Sequence, residues 1–251
     1  MLQRHTHHSE RKRAMKVALV RIGIDSGIGG IQGPLFRDGS FEYIPIPDNY
    51  GIDRRTYGNM VGRHSRHLVD YFPLSRRVKM VNQSVHVDPE FTTFTYGDPT
   101  PPKSGLRHLK QGDMLVFYCG LEGWDFKSEP ALYLMGYFEI LVAGKAGDFN
   151  SHELKNQFSK NFHVRHSSVY EEQKHALVLV KGSSSSRLLK KAVLISTTGQ
   201  NCSGRPLKIL SPKMQEIFGG FGRKLSIQRS PTRWVDSAFV NQAAEFVRSL
   251  D

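Results

Sequence analysis

The sequence predicts a mixed α/β (α+β) fold, with a mixed sheet, a β-rich middle and flanking helices. Three observations support this. The run MKVALVRIGI at 15–24 is almost wholly apolar and rich in Val and Ile, which is typical of a buried strand. Two β-rich runs at 114–119 and 131–142 flank the polar loop 120–130 and indicate a long hairpin. Near the end, one face of an amphipathic helix carries Phe239, Ala243, Phe246, Val247 and Leu250.

The remaining segments fit around these elements. Segment 41–47 predicts an edge or irregular strand because it contains prolines. Residues 49–79 are basic and loop-rich, with one helix near 58–71, and residues 80–102 are extended and rich in turns. Beyond the hairpin, the sequence predicts a helix at 152–160 capped by Ser151, strands at 176–181 and 192–196 with a helical turn at 187–191, and a helix from Pro212 to just before Gly219.

The chain has 251 residues, enough for one large domain or two small ones. It has no internal repeat and no long linker, so we predict one composite domain over 15–251. Residues 1–14 are polar and basic without an apolar signal core, and are predicted to be a disordered leader. No stretch approaches the roughly 20 apolar residues of a membrane span. Two cysteines outside any CxxC pair form no disulfide framework, which favours a reducing, cytoplasmic location.

Positive charge is concentrated in two segments of this basic protein, whose formal net charge is +12. Residues 53–79 hold seven Lys and Arg against two acids, and residues 203–233 hold seven against one. Clustered cations attract polyanions and accelerate their encounter. The charge therefore favours a nucleic-acid or phosphorylated partner over a merely soluble surface.

A glycine-rich loop, DSGIGGIQG at 25–33, follows the first strand. Its glycines could point N–H groups at an anion, with Ser26, Gly27, Gly29 and Gly30 as phosphate-binding residues and Asp25 as an acid/base or metal group. No Gly-Lys-Ser/Thr follows, so it is not a Walker loop, and no helix opens after it as in a dinucleotide fingerprint. A structural turn remains the alternative.

A second candidate is His86, Asp88 and Glu90, which alternate in sequence. On a regular strand they would share one face, where an imidazole and two carboxylates could hold a metal ion or support catalysis. Pro89 interrupts such a strand, so we favour a loop with solvated acids, and no metal site is predicted.

Several further residues suit nucleic-acid binding. His64 and His67, with Arg63 and Arg66, would share a helix face; no third ligand accompanies the histidines, so phosphate contact is favoured over metal binding. Aromatic rings beside arginines can stack on bases, although each ring could equally be core. The predicted nucleic-acid-binding residues are Arg54, Arg55, Tyr57, Arg63, Arg66, Arg229, Arg233 and Trp234.

The chain resembles the nucleotide modification associated domain family, third type. The stretches that carry the resemblance are KVALVRIGIDSGIGG, FEYIPIPD, DPEFTTFTYGDPT, LKQGDMLVFYCGL with LYLMGYFEI, ALVLVKGSSSSRLLKKAVLIS and RSPTRWV. The resemblance implies an association with prokaryotic DNA base-modification systems but no defined reaction. The hairpin is also similar to barrel strands of PUA-like domains, which receive modified bases; that likeness implies a base pocket with Tyr118, Trp124 and Tyr137.

Two functions remain open at this point. The first is a module that binds DNA, in preference to RNA, or a nucleotide, and accepts a modified base near the hairpin. The second is an enzyme on a nucleotide or base, with Asp25 beside the 26–30 loop and support from His86, Asp88 or Glu90. The sequence identifies no cofactor and no membrane attachment, and it leaves the oligomeric state open.

Overall fold

The computed structural model describes residues 13–228 and 231–250. Its strands are β1 Val17–Arg21, β2 Gly33–Leu35, β3 Ile46–Pro47, β4 Val85–His86, β5 Thr95–Asp98, β6 Met114–Gly123, β7 Ala131–Lys145, β8 Val178–Gly182, β9 Arg187–Leu194, β10 Ser196–Gln200, β11 Pro206–Leu210 and β12 Arg233–Trp234. Its α-helices are α1 Leu74–Met80, α2 Ser151–Glu153, α3 Phe162–Arg165, α4 Ser167–Gln173, α5 Pro212–Phe218 and α6 Val240–Arg248. Shorter 3-10 segments are Leu68–Tyr71, Pro101–His108, Ala146–Asp148 and Ser237–Phe239, and Leu154–Phe158 is a π-helical turn.

A mixed sheet forms the centre of the fold, with strand order β12-β1-β6-β7-β8-β5. Strand β1 pairs in parallel with β6 and antiparallel with β12, and β6, β7, β8 and β5 are successively antiparallel. Strand β2 pairs in parallel with the end of β6, and β9 pairs with β7. Within the described residues the terminal strands β12 and β5 do not pair, so the sheet is open. The mixed α/β prediction is confirmed, but the predicted PUA-like barrel is not formed.

The main core packs against this sheet, and its central strands are covered on both faces. All eight residues from Met114 to Leu121 are buried. Phe117 and Phe138 face each other across the hairpin with ring centroids 4.6 Å apart, in edge-on geometry. Phe91 completes an aromatic trio with them, at 5.6 and 5.5 Å.

Two smaller apolar cores flank the main one. The segment between β2 and β5 packs around Tyr57 and Phe72, whose rings meet at 5.0 Å. The segment after β7 packs around Phe158 and Leu177, which are fully buried. These two segments meet where β4 approaches α3, and their packing positions the first candidate site.

The structure confirms several predicted elements. The hairpin forms with longer strands than expected, β6 and β7, and with a β-bulge between Phe117 and Tyr118. Helix α5 has Ser211 as its N-cap and Gly219 as its C-cap, the latter with φ of 69°. Helix α6 buries Val240, Ala243, Ala244 and Val247 against the core.

Three local predictions are wrong. The stretch 187–191 is not helical but begins β9, because pairing with β7 overrides the helix propensity of leucine and lysine. No α-helix forms at 58–71: Ser65 has a left-handed φ of 57°, and a bridge joins Val61 to His67. The helix after β7 is capped by Asn150 rather than Ser151, because the Asn150 side chain accepts the Glu153 N–H.

Residues 1–12 lie outside the described part of the chain, so the leader stays a prediction. The described chain begins with Arg13, which forms an ion pair of 2.7 Å with the buried Asp113. Among the described residues, none of the helices has the length and apolar character that crossing a bilayer requires.

Candidate functional site

Three side chains from distant parts of the sequence meet in one place, and we call His86, Asp88 and His163 the histidine cluster. His86 Nε2 lies 3.2 Å from His163 Nε2, and His163 Nε2 lies 3.3 Å from Asp88 Oδ2. One potential ligand atom from each residue falls within 4.8 Å of the others. The side chains of Asp88 and His163 are each only 3% exposed.

Backbone and amide groups hold the cluster in place. The carboxylate of Asp88 accepts hydrogen bonds from the Gly97 N–H at 2.8 Å and from Asn161 Nδ2 at 3.3 Å. Asn161 is also the N-cap of α3, because its Oδ1 accepts the His163 N–H at 3.1 Å. Tyr43 donates its hydroxyl to the Asp88 carbonyl at 2.8 Å. The residue that caps the helix therefore also orients the carboxylate.

Burial perturbs all three groups of the cluster. Desolvation, reinforced by the charge on His163, lowers the pKa of His86 to about 3, and its ring stacks on Phe162 at 3.9 Å. Desolvation raises the pKa of Asp88 to about 6, although its hydrogen bond with His163 opposes the shift. Burial alone would lower the pKa of His163, but the hydrogen bond and charge of Asp88 raise it overall. The interaction of Asp88 with His163 therefore favours the proton on His163, whereas desolvation favours the neutral form of His86.

Glu90 belongs to a neighbouring ion-pair network rather than to the cluster. Its Oε2 lies 3.5 Å from Arg55 Nη1, and Arg55 Nη2 donates to Asp53 at 2.8 Å. Arg165 and His166 approach the same Asp53 carboxylate at 3.5 and 3.4 Å. Burial would raise the pKa of Asp53, but hydrogen bonds and charge from Arg55 lower it to about 2. Asp88 and Glu90 are therefore buried or paired, and the predicted loop with solvated acids is wrong.

The glycine-rich loop uses its own amides internally. The Asp25 carboxylate accepts the N–H groups of Gly27 and Ile28, each at 2.8 Å, and pairs with Arg21 at 2.9 Å. The Gly30 N–H donates to the Asp25 carbonyl. The backbone amides of Gly27, Ile28 and Gly30 are therefore bonded to Asp25 and are not free to bind a phosphate. Among the described residues, no hydrogen bond or ion pair joins Asp25 to the histidine cluster.

A second feature is a cavity of about 360 Å³ beside the hairpin loop, which we call the Trp124 cavity. The indole of Trp124 and the ring of Tyr71 meet edge-on at 5.2 Å, and Trp124 is 39% exposed. The backbone N–H of Trp124 donates to the Leu35 carbonyl, which fixes the loop against β2. The other residues that line the Trp124 cavity include Gln32, Pro34, Phe72, Arg77 and Glu122.

Two buried polar atoms on residues of this cavity lack partners. Gln32 Oε1 and the Tyr71 hydroxyl have no hydrogen-bond partner within the described part of the chain. Burial, and then the charge of Glu42, raises the pKa of Tyr71 to about 12, so its hydroxyl keeps its proton. Unsatisfied buried polar atoms are rare, and a bound ligand is one explanation for them.

A third feature is a larger cavity of about 530 Å³ at the β12 edge of the sheet. Met15, Trp234, Val235 and Val240 give it an apolar lining, and Lys16 lies 6.0 Å from the Trp234 ring. Among the described residues that line it, no cluster of potential metal ligands occurs.

The sequence matches the family model of the nucleotide modification associated domain 3 along residues 16–249. The chain belongs to this family. No curated protein and no solved structure shows significant similarity to it. Membership in the nucleotide modification associated domain 3 family links the chain to nucleic-acid modification, and the resemblance inferred from its sequence is confirmed.

In this member of the family, the three residues predicted to form a base pocket do not lie together. Trp124 lines the Trp124 cavity. Tyr118 is fully buried and donates its hydroxyl to the Ile227 carbonyl, and Tyr137 is 2% exposed beneath Arg187. Tyr118 and Tyr137 are core residues that line neither cavity.

The predicted nucleic-acid-binding residues also differ in availability. Arg54, Arg63 and Arg66 are exposed, and the guanidinium of Arg63 contacts the Leu189 carbonyl. Arg55 is held in the Asp53–Glu90 network, and Tyr57 is fully buried. Arg233 and Trp234 are half-buried on β12, and Arg229 lies outside the described residues. Only part of the predicted set is placed where a polyanion could reach it.

The sequence did not predict roles for His163, Asn161 and Gln173 at the cluster, or for Tyr71 and Gln32 at the cavity. The stretch NFHVRH at 161–166 carried a usable signal, because Asn161 is a strong N-cap residue followed by two histidines three apart. Tyr71 and Gln32 carried no local signal, since their roles depend on tertiary packing.

Proposed function

We propose that this protein recognises a nucleobase of DNA, in preference to RNA, within a nucleic-acid-modification system, and that the base enters the Trp124 cavity. The observation that carries the proposal is a cavity with aromatic walls, two of whose lining residues, Gln32 and Tyr71, each hold a buried polar atom without a partner among the described residues. A cytoplasmic location, where prokaryotic DNA lies, fits this role.

The cavity has the size and chemistry that a base requires. Its volume of about 360 Å³ falls within the range of roughly 300–1,000 Å³ that is usual for small-molecule sites. The Trp124 ring offers a stacking face, and stacking contributes about 1–3 kcal/mol per base. Gln32 and Tyr71 line the cavity, and a small side-chain rotation would let Gln32 Oε1 accept and the Tyr71 hydroxyl donate hydrogen bonds to the donors and acceptors on the edge of a nucleobase.

Positive charge near the cavity supports approach of the phosphate backbone. Arg66 is exposed and lies five residues before Tyr71, which lines the cavity. Arg77 also lines the cavity, although its guanidinium is bonded to the carbonyls of Phe72 and Asp70. Extrusion of a base from duplex DNA costs a few kcal/mol, and a stacking face with two hydrogen bonds can offset that cost.

Fluorescence can test the proposal, because the chain contains only two tryptophans. A Trp234→Phe variant leaves Trp124 as the sole indole. We expect saturable quenching of this indole by deoxynucleoside monophosphates and by short single-stranded DNA. Trp124→Ala should weaken DNA binding about 5- to 150-fold, the equivalent of one lost stacking contact.

Trp234→Phe is also the matched control, since Trp234 lies outside the Trp124 cavity and its substitution should leave DNA affinity unchanged. Gln32→Leu should weaken binding of monophosphates without loss of the quenching end point. DNA affinity should fall at least about tenfold between 50 and 200 mM salt. The proposal is wrong if Trp124→Ala binds DNA as tightly as the unmodified chain, or if affinity is independent of salt.

An enzyme acting on a nucleotide or base is the second candidate, and the histidine cluster favours it. Buried acid–base groups with perturbed pKa values concentrate at reaction centres. The Asp25 loop supports this candidate less, because the amides of Gly27, Ile28 and Gly30 are already bonded to Asp25. Mass spectrometry of nucleosides from DNA incubated with the protein tests it: a new nucleoside that disappears with Asp88→Asn supports catalysis, and an unchanged nucleoside profile argues against it.

A further inference from the structure

The His163 Nε2 atom faces two partners that a single hydrogen cannot satisfy. It lies 3.2 Å from His86 Nε2 and 3.3 Å from Asp88 Oδ2. A ring nitrogen carries one hydrogen or one lone pair, so it can serve only one of them with a well-directed hydrogen bond. The other contact then lacks a hydrogen-bonding explanation.

A cation between the three atoms accounts for both contacts. Imidazole and carboxylate ligands bind zinc at about 2.0–2.2 Å. Two such ligands in tetrahedral geometry lie roughly 3.3 Å apart, close to the two separations found here. The donor set of two imidazoles and one carboxylate suits Zn²⁺ and Fe²⁺ rather than Mg²⁺ or Ca²⁺, which prefer oxygen ligands.

The surroundings of His163 are those of a metal ligand. Its Nδ1 lies 2.6 Å from Gln173 Oε1, and Gln173 Nε2 donates to the Tyr50 hydroxyl at 2.9 Å, which fixes the orientation of the amide. Nδ1 therefore carries a hydrogen, and in the neutral ring the lone pair of Nε2 is directed at His86 and Asp88. Metal-binding histidines usually have such an outer partner, which fixes the ring and its tautomer.

We propose that His86, Asp88 and His163 bind one divalent transition-metal ion, Zn²⁺ or Fe²⁺. Three protein ligands leave at least one coordination position for water or another ligand, as in catalytic rather than purely structural zinc sites. Binding of the ion requires neutral imidazoles and an ionised carboxylate, as for other metal ligands of these types. The site shares no residue with the Trp124 cavity, so it does not depend on base binding there.

Metal titration of the full chain tests this proposal. His5, His7 and His8 lie close together near the start of the sequence and could bind metal by themselves. All proteins should therefore carry alanine at these three positions. After chelator treatment, calorimetric titration with ZnCl₂, and separately with anaerobic Fe²⁺, should give one ion per chain, and Co²⁺ should give visible bands of a nitrogen- and oxygen-ligated ion.

His86→Gln should lower Zn²⁺ affinity by at least about 100-fold. His166→Gln is the matched control, because His166 also packs on Phe162, at 5.1 Å, but lies outside the histidine cluster. Its affinity should match that of the parent. Gln173→Leu should keep the stoichiometry but lower affinity about 10- to 100-fold, because Gln173 is a positioning residue.

Circular dichroism and size-exclusion chromatography establish that each variant is folded, and His163→Gln replaces His86→Gln if the latter is not. Zn²⁺ should also raise the melting temperature of the parent and of His166→Gln, but not of His86→Gln. The proposal is overturned if the parent binds neither Zn²⁺ nor Fe²⁺, or if the folded cluster variant binds as tightly as the parent. Loss of DNA binding in Trp124→Ala would leave this result unaffected.

Discussion

Gly97 is the position where the smallest change should disturb the histidine cluster most. It lies in β5 opposite Leu179, and its N–H donates to the Asp88 carboxylate. A Cβ atom at this position would lie 2.7 Å from His163 Cδ2 and 3.0 Å from Asn161 Oδ1. Neither neighbour can move freely, because Gln173 fixes the His163 ring and Asn161 caps α3.

The expected cost of Gly97→Ala follows from these contacts. Overpacking of one methyl group in a closed core costs about 1–3 kcal/mol. Distortion of the hydrogen bond to the charged Asp88 adds about 1 kcal/mol. The free energy of unfolding should therefore fall by about 2–4 kcal/mol, which lowers the melting temperature of a chain this long by roughly 5–15 °C.

Urea denaturation of the metal-free protein, followed by circular dichroism, measures this loss as a lower midpoint with an unchanged slope. Gly147→Ala is the control: nothing lies within 4 Å of its added Cβ, and stability should change by less than about 0.5 kcal/mol. If Gly97→Ala unfolds at the same urea concentration as the parent, then β5 and α3 do not pack as closely as these distances indicate.

Three further predictions concern stability. Asp113→Ala should lower the free energy of unfolding, measured in urea, by about 2–5 kcal/mol. The buried carboxylate accepts the backbone N–H groups of Lys16 and Lys110, and its removal leaves both without their partner. A loss below about 1 kcal/mol would contradict this prediction. The pKa of Asp53 is about 2 in the folded chain, below its unfolded value of about 3.9, so its stabilisation is present above pH 4 and is lost as pH falls towards 2. Compared with Asp53→Asn, the parent should lose about 1–2 kcal/mol over that window, after allowance for the partial exposure of its arginine partners, and parallel pH profiles would refute the assignment. Phe117→Ala should cost about 3–5 kcal/mol by the same assay, because its ring is fully buried among aromatic neighbours, and a loss near 1 kcal/mol would mean that the core collapses around the gap.

Elements with strong local signals were predictable from sequence. The strands of the hairpin are continuous apolar runs, and α5 is bounded by Ser211, Pro212 and Gly219, whose preferences are local. The stretch 187–191 was not predictable, because leucine and lysine favour a helix and only the edge of β7 makes it a strand. Ser65 gave no sequence indication of its left-handed conformation, which breaks the expected helix.

Only the part of the candidate site that depends on local sequence was predictable. His86 and Asp88 were found because they are neighbours in sequence, but His163 joins them only through tertiary packing. Pro89 indicated a loop with solvated acids, but the fold buries Asp88 against Asn161 and Gly97. The Trp124 cavity was anticipated through one ring, whereas Tyr71 approaches it from a separate segment.

Strand β1 gains its outer neighbour only from the far end of the fold, since Ala18 pairs with Trp234 and Leu19 with Arg233. During synthesis, β1 leaves the ribosome long before β12 exists, and its β12-facing edge stays open throughout translation. An apolar strand with a free edge is a template for wrong pairing. Pairing with β6 covers only the opposite edge of β1. The nascent chain therefore has a prolonged interval in which the β12-facing edge is exposed to aggregation.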